Sequence, residues 1–293
     1  MAGKLYLCAT PIGNLEDITF RVIRTLKEAD LIAAEDTRHS IKLLNHFEIK
    51  TPMTSYHEYN KVEKARYLVG QLKNGLNVAV ITDAGTPGIS DPGEELVRQC
   101  YEAGIEVTSL PGPAACITAL TMSGQPTRRF AFEAFLPTEK GDKKERRRIL
   151  EELKRETRTI ILYEAPHHLA KTLRDLYEAL GDRPVSVCRE LTKKHETVLK
   201  STLKGALEYY EAQEPKGECV LVIGGKPAKE LEEEQIRAWE EMELEEHMAL
   251  YEGQGMDRRE AMKAVAKDRG VSRRDVYQML LSREAGQAAP GKK

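Results

Sequence analysis

Residues 77–93 constrain the fold more than any other stretch. Asn77-Val-Ala-Val-Ile-Thr82 is a short, continuous apolar run, and it passes directly into Asp83-Ala-Gly-Thr-Pro-Gly-Ile-Ser-Asp-Pro-Gly93. A strand with no polar face must be covered on both sides, which is what a parallel sheet layered between helices demands. A glycine-rich turn at the carboxyl end of such a strand lies on the edge where open α/β sheets bind ligands. Gly85, Gly88 and Gly93 let backbone approach a ligand closely, and Asp91-Pro92-Gly93-Glu94 can open the next helix as a capping box. The lysine of a G-x-x-x-x-G-K-[ST] phosphate cradle is missing. The loop carries carboxylates instead, which suit a ligand with positive charge or ribose hydroxyls. A tight connection would also use glycine and proline, but these eleven residues hold almost no ordinary loop chemistry.

Strand and helix signals alternate beyond this stretch. Leu5–Ala9, Asp30–Glu35 and Glu106–Leu110 read as further strands of one parallel sheet. Ile18, Val22, Ile23 and Leu26 share a helix face, and Asn60 with Glu63 opens a helix carrying Val62, Ala65, Leu68, Val69 and Leu72. A second α/β unit has strands at Phe130–Phe135, Thr159–Tyr163, Val185–Cys188 and Cys219–Ile223. Its helices span 143–155 and the run through Leu169, Leu173, Leu176 and Leu180. Turn formers at Ser123-Gly-Gln-Pro126 set the break, giving α/β domains at 1–123 and 124–227. Residues 228–293 form a helical extension, with disorder expected at its last residues. Positions 229–250 hold nine acidic residues against Lys229 and Arg237, whereas ten Lys/Arg face six Asp/Glu from 251 onward. Asp257 with Glu260 and Ser272 with Asp275 cap two short helices, and Ala266, Gly270 and Val276 have the spacing of a helix-turn-helix.

Composition narrows the class. The chain is 41% hydrophobic and 31% charged with a net charge of −2, so any nucleic-acid site must be a local patch. No apolar stretch approaches the roughly 18 residues of a membrane helix, and the start of the chain lacks a signal-peptide layout. Five scattered cysteines, never CxxC, argue against disulfide frameworks and thiolate zinc sites. No H-x-x-x-H occurs, so no metal site is expected. A cytoplasmic protein is expected.

Three more strand ends join the glycine loop at the sheet edge. Thr10-Pro-Ile-Gly-Asn14 follows the first strand, without a G-x-G-x-x-G dinucleotide fingerprint, and Asp17 is available to cap the next helix. Pro111-Gly-Pro-Ala-Ala115 begins a helix with small residues, which can admit a flat ligand or serve close packing. Ala34-Glu-Asp-Thr-Arg-His39 is a charged cluster that reads equally as a surface turn or as part of a site.

These pieces resemble the tetrapyrrole-methylase superfamily of two-domain enzymes that use S-adenosylmethionine, and within it the branch that acts on small-subunit ribosomal RNA. The resemblance rests on Thr10–Asp17, Ala34–Arg38, Asp83–Gly93 and Leu110–Ala115. It continues through Tyr163–His167, Arg189–Lys193 and Lys216–Glu218, covering residues 4–225 in order. His168 stands where Arg is expected, Ala134 where Gly is usual, and Lys194 replaces an apolar residue; none touches the glycine loop. The resemblance implies S-adenosylmethionine folded into a cleft between the two α/β domains. Pro11, Asp83, Gly85, Thr86, Gly88 and Ile89 would surround its methionine part and ribose. Ala114 and Ala115 would lie nearby, and Tyr163, Glu164, Leu191 and Cys219 would border the adenine.

The implied reaction methylates the 2′-hydroxyl of a cytidine, the 1402 position, in the decoding centre of 16S ribosomal RNA. The implied assembly is a homodimer. A ribose hydroxyl needs a proton acceptor, for which Glu35, Asp36, Asp83, Glu164 and Glu190 are candidates. Arg38, Arg189 and Lys193 could hold target phosphates, as could Arg273 and Arg274 in the extension. A methyltransferase acting on a tetrapyrrole or a modified protein histidine, and an rRNA-binding protein without catalysis, are the alternatives.

Overall fold

The computed structural model describes residues 2–138, 142–213 and 215–287. The expectation of disorder at the end of the chain concerns residues 288–293, which lie outside the described residues. Five strands, β1 (Leu5–Cys8), β2 (Leu31–Ala34), β3 (Met53–Ser55), β4 (Val78–Ile81) and β5 (Val107–Leu110), pair in the order β3-β2-β4-β1-β5, all in parallel. Every residue of β4 is buried, as its unbroken apolar run requires. Helices α1 (Phe20–Glu28) and α2 (Thr37–His46) cover one face, where Val22, Leu26 and Leu44 pack on Ile32, Ala79 and Ile81. Helices α3 (Lys61–Lys73) and α4 (Gly93–Glu102) cover the other, where Leu68, Leu72 and Leu96 meet Leu5, Val78 and Val80. Each such fully buried leucine contributes roughly 1.5–3 kcal/mol.

The second sheet is mixed. Strands β6 (Phe130–Phe135), β7 (Thr159–Glu164), β8 (Pro184–Arg189), β9 (Thr197–Thr202) and β10 (Cys219–Ile223) run in the order β6-β7-β10-β8-β9. Only β6 and β7 are parallel; β10 lies antiparallel between β7 and β8. Helix α5 (Ala115–Ser123) packs Cys116, Ala119 and Leu120 on Ile161, Val220 and Val222. Helices α6 (Lys143–Leu153), α7 (Leu169–Leu180) and α8 (Leu203–Ala212) cover the opposite face around Ile160, Leu162 and Leu221. Strands β3 and β9 escape the sequence pattern because both are edge strands without a buried residue.

Three expected caps resolve differently. Thr19, not Asp17, caps α1 through its hydroxyl. The Asn60 side chain accepts from the His57 N–H instead of closing a box with Glu63. Asp91 leaves α4 without a side-chain cap because its carboxylate serves the glycine loop.

The chain divides into two compact units, Met1–Gly225 and Lys226–Lys293. The second consists of α9 (Ala228–Glu241), α10 (Leu244–Glu252), α11 (Arg258–Asp268) and α12 (Arg273–Gln287). Leu244, Met248, Ala261, Val265, Ala266, Val276 and Leu280 form its core. Gly270 turns between α11 and α12 at φ +64°, a left-handed conformation glycine adopts freely. The Asp257–Glu260 box and the reciprocal Ser272–Asp275 bonds both form. No described helix is long and apolar enough to cross a membrane. Among the described residues, no group of three or more His, Cys, Asp or Glu is placed to hold a metal ion.

Candidate active site

The carboxyl ends of β1, β2 and β4 meet the second sheet at a cavity of about 300 Å³ in the first unit, within the range of small-molecule sites. Its floor is the glycine loop. Thr10 and Gly85 exchange backbone hydrogen bonds of 2.9 and 3.0 Å, which tie the first strand end to the loop. Gly85 and Gly88 adopt φ of +90° and +87°, open to glycine at no steric cost. The Asp91 carboxylate accepts from the N–H groups of Gly88 (2.8 Å), Ile89 (3.0 Å) and Gly93 (2.7 Å), locking the turn from within. The Thr86 hydroxyl donates to the Pro113 carbonyl at 2.8 Å and so joins the loop to the start of α5.

One wall is acidic. The Asp83 N–H donates to Glu35 Oε2 at 3.5 Å, and the Asp36 N–H donates to Asp83 Oδ1 at 3.2 Å. Burial raises the Glu35 pKa above the usual carboxylate value; the bond from Asp83 opposes this, and the charges of Asp83, Asp91 and Glu58 add to it. Asp36 behaves oppositely. The Arg38 side chain and backbone N–H donate to it and hold its pKa at about 2.

The facing wall is apolar and aromatic. Leu191, Cys219 and Val220 are buried, and Ala114 and Ala115 present only methyl groups. Burial pushes the Cys219 thiol up to about 12, so it is a neutral wall rather than a nucleophile. The Tyr163 hydroxyl accepts from the Cys116 N–H at 3.2 Å, and burial raises its pKa. Glu164 accepts from the Ala165 N–H at 2.8 Å and from the Thr172 hydroxyl. At the rim, Lys193 pairs with Glu190 at 3.0 Å on a loop where Glu190 and Thr192 take φ of +51° and +64°. Gly217 makes room there, since a Cβ on it would lie 2.0 Å from Glu190 Oε1.

Of the residues singled out from sequence, Asp83, Gly85, Thr86, Ile89, Ala114 and Ala115 line the cavity from one side. Tyr163, Glu164, Leu191 and Cys219 line it from the other, and Glu35, Glu190 and Lys193 also border it. Pro11, Gly88, Asp36 and Arg38 are not among the lining residues. The Arg189 guanidinium donates to the Lys216 carbonyl at 2.7 and 3.1 Å, which braces the loop before β10. Arg273 and Arg274 begin α12 in the second unit and are exposed. Ile12, Thr82, Ala84 and Ser90 also line the cavity, as neighbours in chain of the strand-end motifs. Glu218 and Val220 do so beside the Lys216–Glu218 motif. Phe135 had no signal, because plain alternation turns it away from this face.

A cationic sulfonium and ammonium fit the Glu35–Asp83 side, and a flat nucleoside fits the wall of methyl groups. Residues 4–207 match the sequence profile described as Tetrapyrrole (Corrin/Porphyrin) Methylases. The chain is 50% identical over 275 residues to "Ribosomal RNA small subunit methyltransferase I" of Halalkalibacterium halodurans, covering 94% of this chain and 93% of that protein. It is 48% identical to the Synechocystis sp. protein of the same name, covering 97% and 99%. The Thermotoga maritima protein of that name is 46% identical over 224 residues, covering 76% of this chain and 99% of itself. Among solved structures, diphthine synthase superposes with TM-score 0.57 at 13% identity, covering 76% of this chain and 90% of that one. A Thermus thermophilus uroporphyrin-III C-methyltransferase complexed with S-adenosylhomocysteine gives 0.53 at 21% identity, covering 76% and 97%. Both share the fold of the first unit's length. By its profile match and these full-length relatives, the chain belongs to the tetrapyrrole (corrin/porphyrin) methylase family and is a methyltransferase.

Proposed function

We propose that the protein methylates the 2′-hydroxyl of a cytidine in the decoding centre of 16S ribosomal RNA, acting in the cytoplasm as a homodimer. The observation that carries the donor half of this reading is a single cavity with carboxylates on one wall and buried apolar side chains on the other. The substrate half rests on the names of the relatives, three of which are small-subunit ribosomal RNA methyltransferases by name. S-adenosylmethionine supplies a methyl group already activated on a sulfonium. What remains for the chain is to align, to exclude water and to receive a proton, and alignment alone can lower a barrier by roughly 7–11 kcal/mol.

Asp83 and Glu35 hold the cationic end, and the Asp91-braced loop fixes the ribose. Ala114 and Ala115 let the adenosyl group lie against backbone. Glu35 is the proton acceptor we favour among the carboxylates that border the cavity, since burial raises its pKa above the usual carboxylate value. Asp36 is engaged by Arg38 and orients the start of α2. Lys193, at the rim, is suited to an incoming phosphate.

The second unit adds a cationic surface. Its carboxylates from 257 to 275 are all engaged: Asp257 and Glu260 in one cap, Asp275 in another, and Asp268 with His247 and Tyr251. The side chains of Lys263, Lys267, Arg273 and Arg274 are exposed and make no hydrogen bond or ion pair among the described residues. Phosphate contacts there would add affinity with little sequence information.

The test incubates the protein with methyl-labelled S-adenosylmethionine and unmodified small subunits, then digests the RNA to nucleosides. Label in 2′-O-methylcytidine is expected. Label at a base carbon, in ribosomal protein or nowhere overturns the reading.

A further inference from the structure

Phe135 lines the cavity yet keeps 56% of its surface exposed. Plain alternation along β6 would set Phe130, Phe132 and Ala134 on one face and Phe135 on the other. The register departs from this: Phe132 lies opposite Ile161 and Phe135 opposite Tyr163, three steps of β6 against two of β7. One extra residue makes a bulge, and a bulge re-aims the side chains that follow it. Parity reverses, so Phe135 joins Phe132 beside Tyr163, with ring centroids 5.5 and 5.0 Å from the tyrosine. Ala134 turns the bulge at φ +50°, a left-handed conformation uncommon for a residue with a Cβ. Leu136 then returns to the core at 2% exposure. A strained backbone that holds an apolar ring in solvent beside a site is a functional signature.

We propose that Phe135 is the platform on which the target nucleobase stacks once it leaves its neighbours in the RNA, which sets its ribose at the cavity. The inference rests on the RNA reading above and adds the subsite for the base. Enzymes that modify a base draw its nucleotide out of the stack and hold the base by stacking; a ribose within a folded strand must be brought to a cavity in the same way, and an aromatic face accepts any base. Tyr163, the other aromatic ring of the lining, is half-buried and its hydroxyl is held by the Cys116 N–H, so it backs Phe135 instead of meeting the substrate.

The experiment compares wild type, Phe135→Ala and Phe135→Tyr as full-length proteins. It measures S-adenosylmethionine affinity by calorimetry and methyl transfer to unmodified small subunits over a range of subunit concentrations. Phe135→Ala should bind the donor within twofold of wild type and lose between about fivefold and 100-fold in kcat/KM for subunits, as the loss of one stacked base predicts. Phe135→Tyr should recover most of that loss. Unchanged kcat/KM in Phe135→Ala overturns the platform while leaving the RNA reading intact. A matching loss of donor affinity also overturns it, because the ring would then belong to the adenosyl wall. A wild type that transfers nothing to RNA overturns both.

Discussion

Glu35 and Asp36 are neighbours in sequence with opposite titration behaviour. The Glu35 pKa is raised chiefly by burial, so its contribution to stability is complete below the unfolded value near 4.5 and is lost as pH rises through the higher folded value. Asp36, held at about 2 by Arg38, contributes above its ordinary 3.8 and loses that contribution as pH falls through 2. Ionising Glu35 is therefore a local cost, which a cation bound beside it would relieve. Glu35→Gln should raise the thermal midpoint at pH 7 by up to a few °C, with the gap closing as pH falls to about 4, where wild-type Glu35 is largely protonated. The same variant should bind S-adenosylmethionine more weakly. Midpoints recorded at both pH values check the first statement; a variant less stable than wild type at pH 7 would contradict it.

The loop from Asp83 to Gly93 works as one element because a single carboxylate gathers three of its N–H groups. Hydrogen bonds to a charged acceptor contribute about 1.5–3 kcal/mol each. Asp91→Ala should therefore raise the donor dissociation constant roughly 10- to 100-fold, and Asp91→Asn, which keeps one acceptor oxygen, should fall between. Calorimetry showing wild-type affinity for Asp91→Ala would mean that the loop keeps its shape through Gly85–Thr10 pairing alone. The position of this loop was legible because an unbroken apolar strand and three glycines are local signals. The role of Asp91 was not, since D-P-G-E also spells a helix cap, and only the tertiary path of the loop decides which N–H groups reach the carboxylate. The same limit applies to the second sheet. Val185–Cys188 and Cys219–Ile223 are readable as strands, but their antiparallel pairing is a long-range choice that periodicity does not carry. The family resemblance leads one to expect glycine where Ala134 stands, which hinted at a left-handed residue, yet alternation of Phe130, Phe132 and Ala134 concealed the bulge that re-aims Phe135.

At the scale of the whole chain, the cavity lies in one unit and the exposed cations of α11 and α12 lie in the other. Every residue lining the cavity belongs to Met1–Gly225, and the hydrophobic core of Lys226–Lys293 is its own. The Thermotoga maritima relative, whose 224 matched residues are 99% of its length, has no room for a second unit of this size. Its name nevertheless matches that of the longer relatives. The extension is thus an addition to the methyltransferase fold, and under the proposed function its exposed Lys263, Lys267, Arg273 and Arg274 would meet RNA phosphates. Deleting residues 226–293 should leave the donor dissociation constant within about twofold while weakening binding to small-subunit RNA. The slope of log affinity against log salt should also become shallower by about 0.7–0.9 for each phosphate the truncated chain no longer neutralises. With Lys263, Lys267, Arg273 and Arg274 all engaged, that is a change of roughly three units. A titration series from low to physiological salt, run on both proteins, reads this directly. If full-length and truncated chains give the same slope, the cationic face of α11 and α12 does not meet RNA, and the first unit alone must hold the substrate.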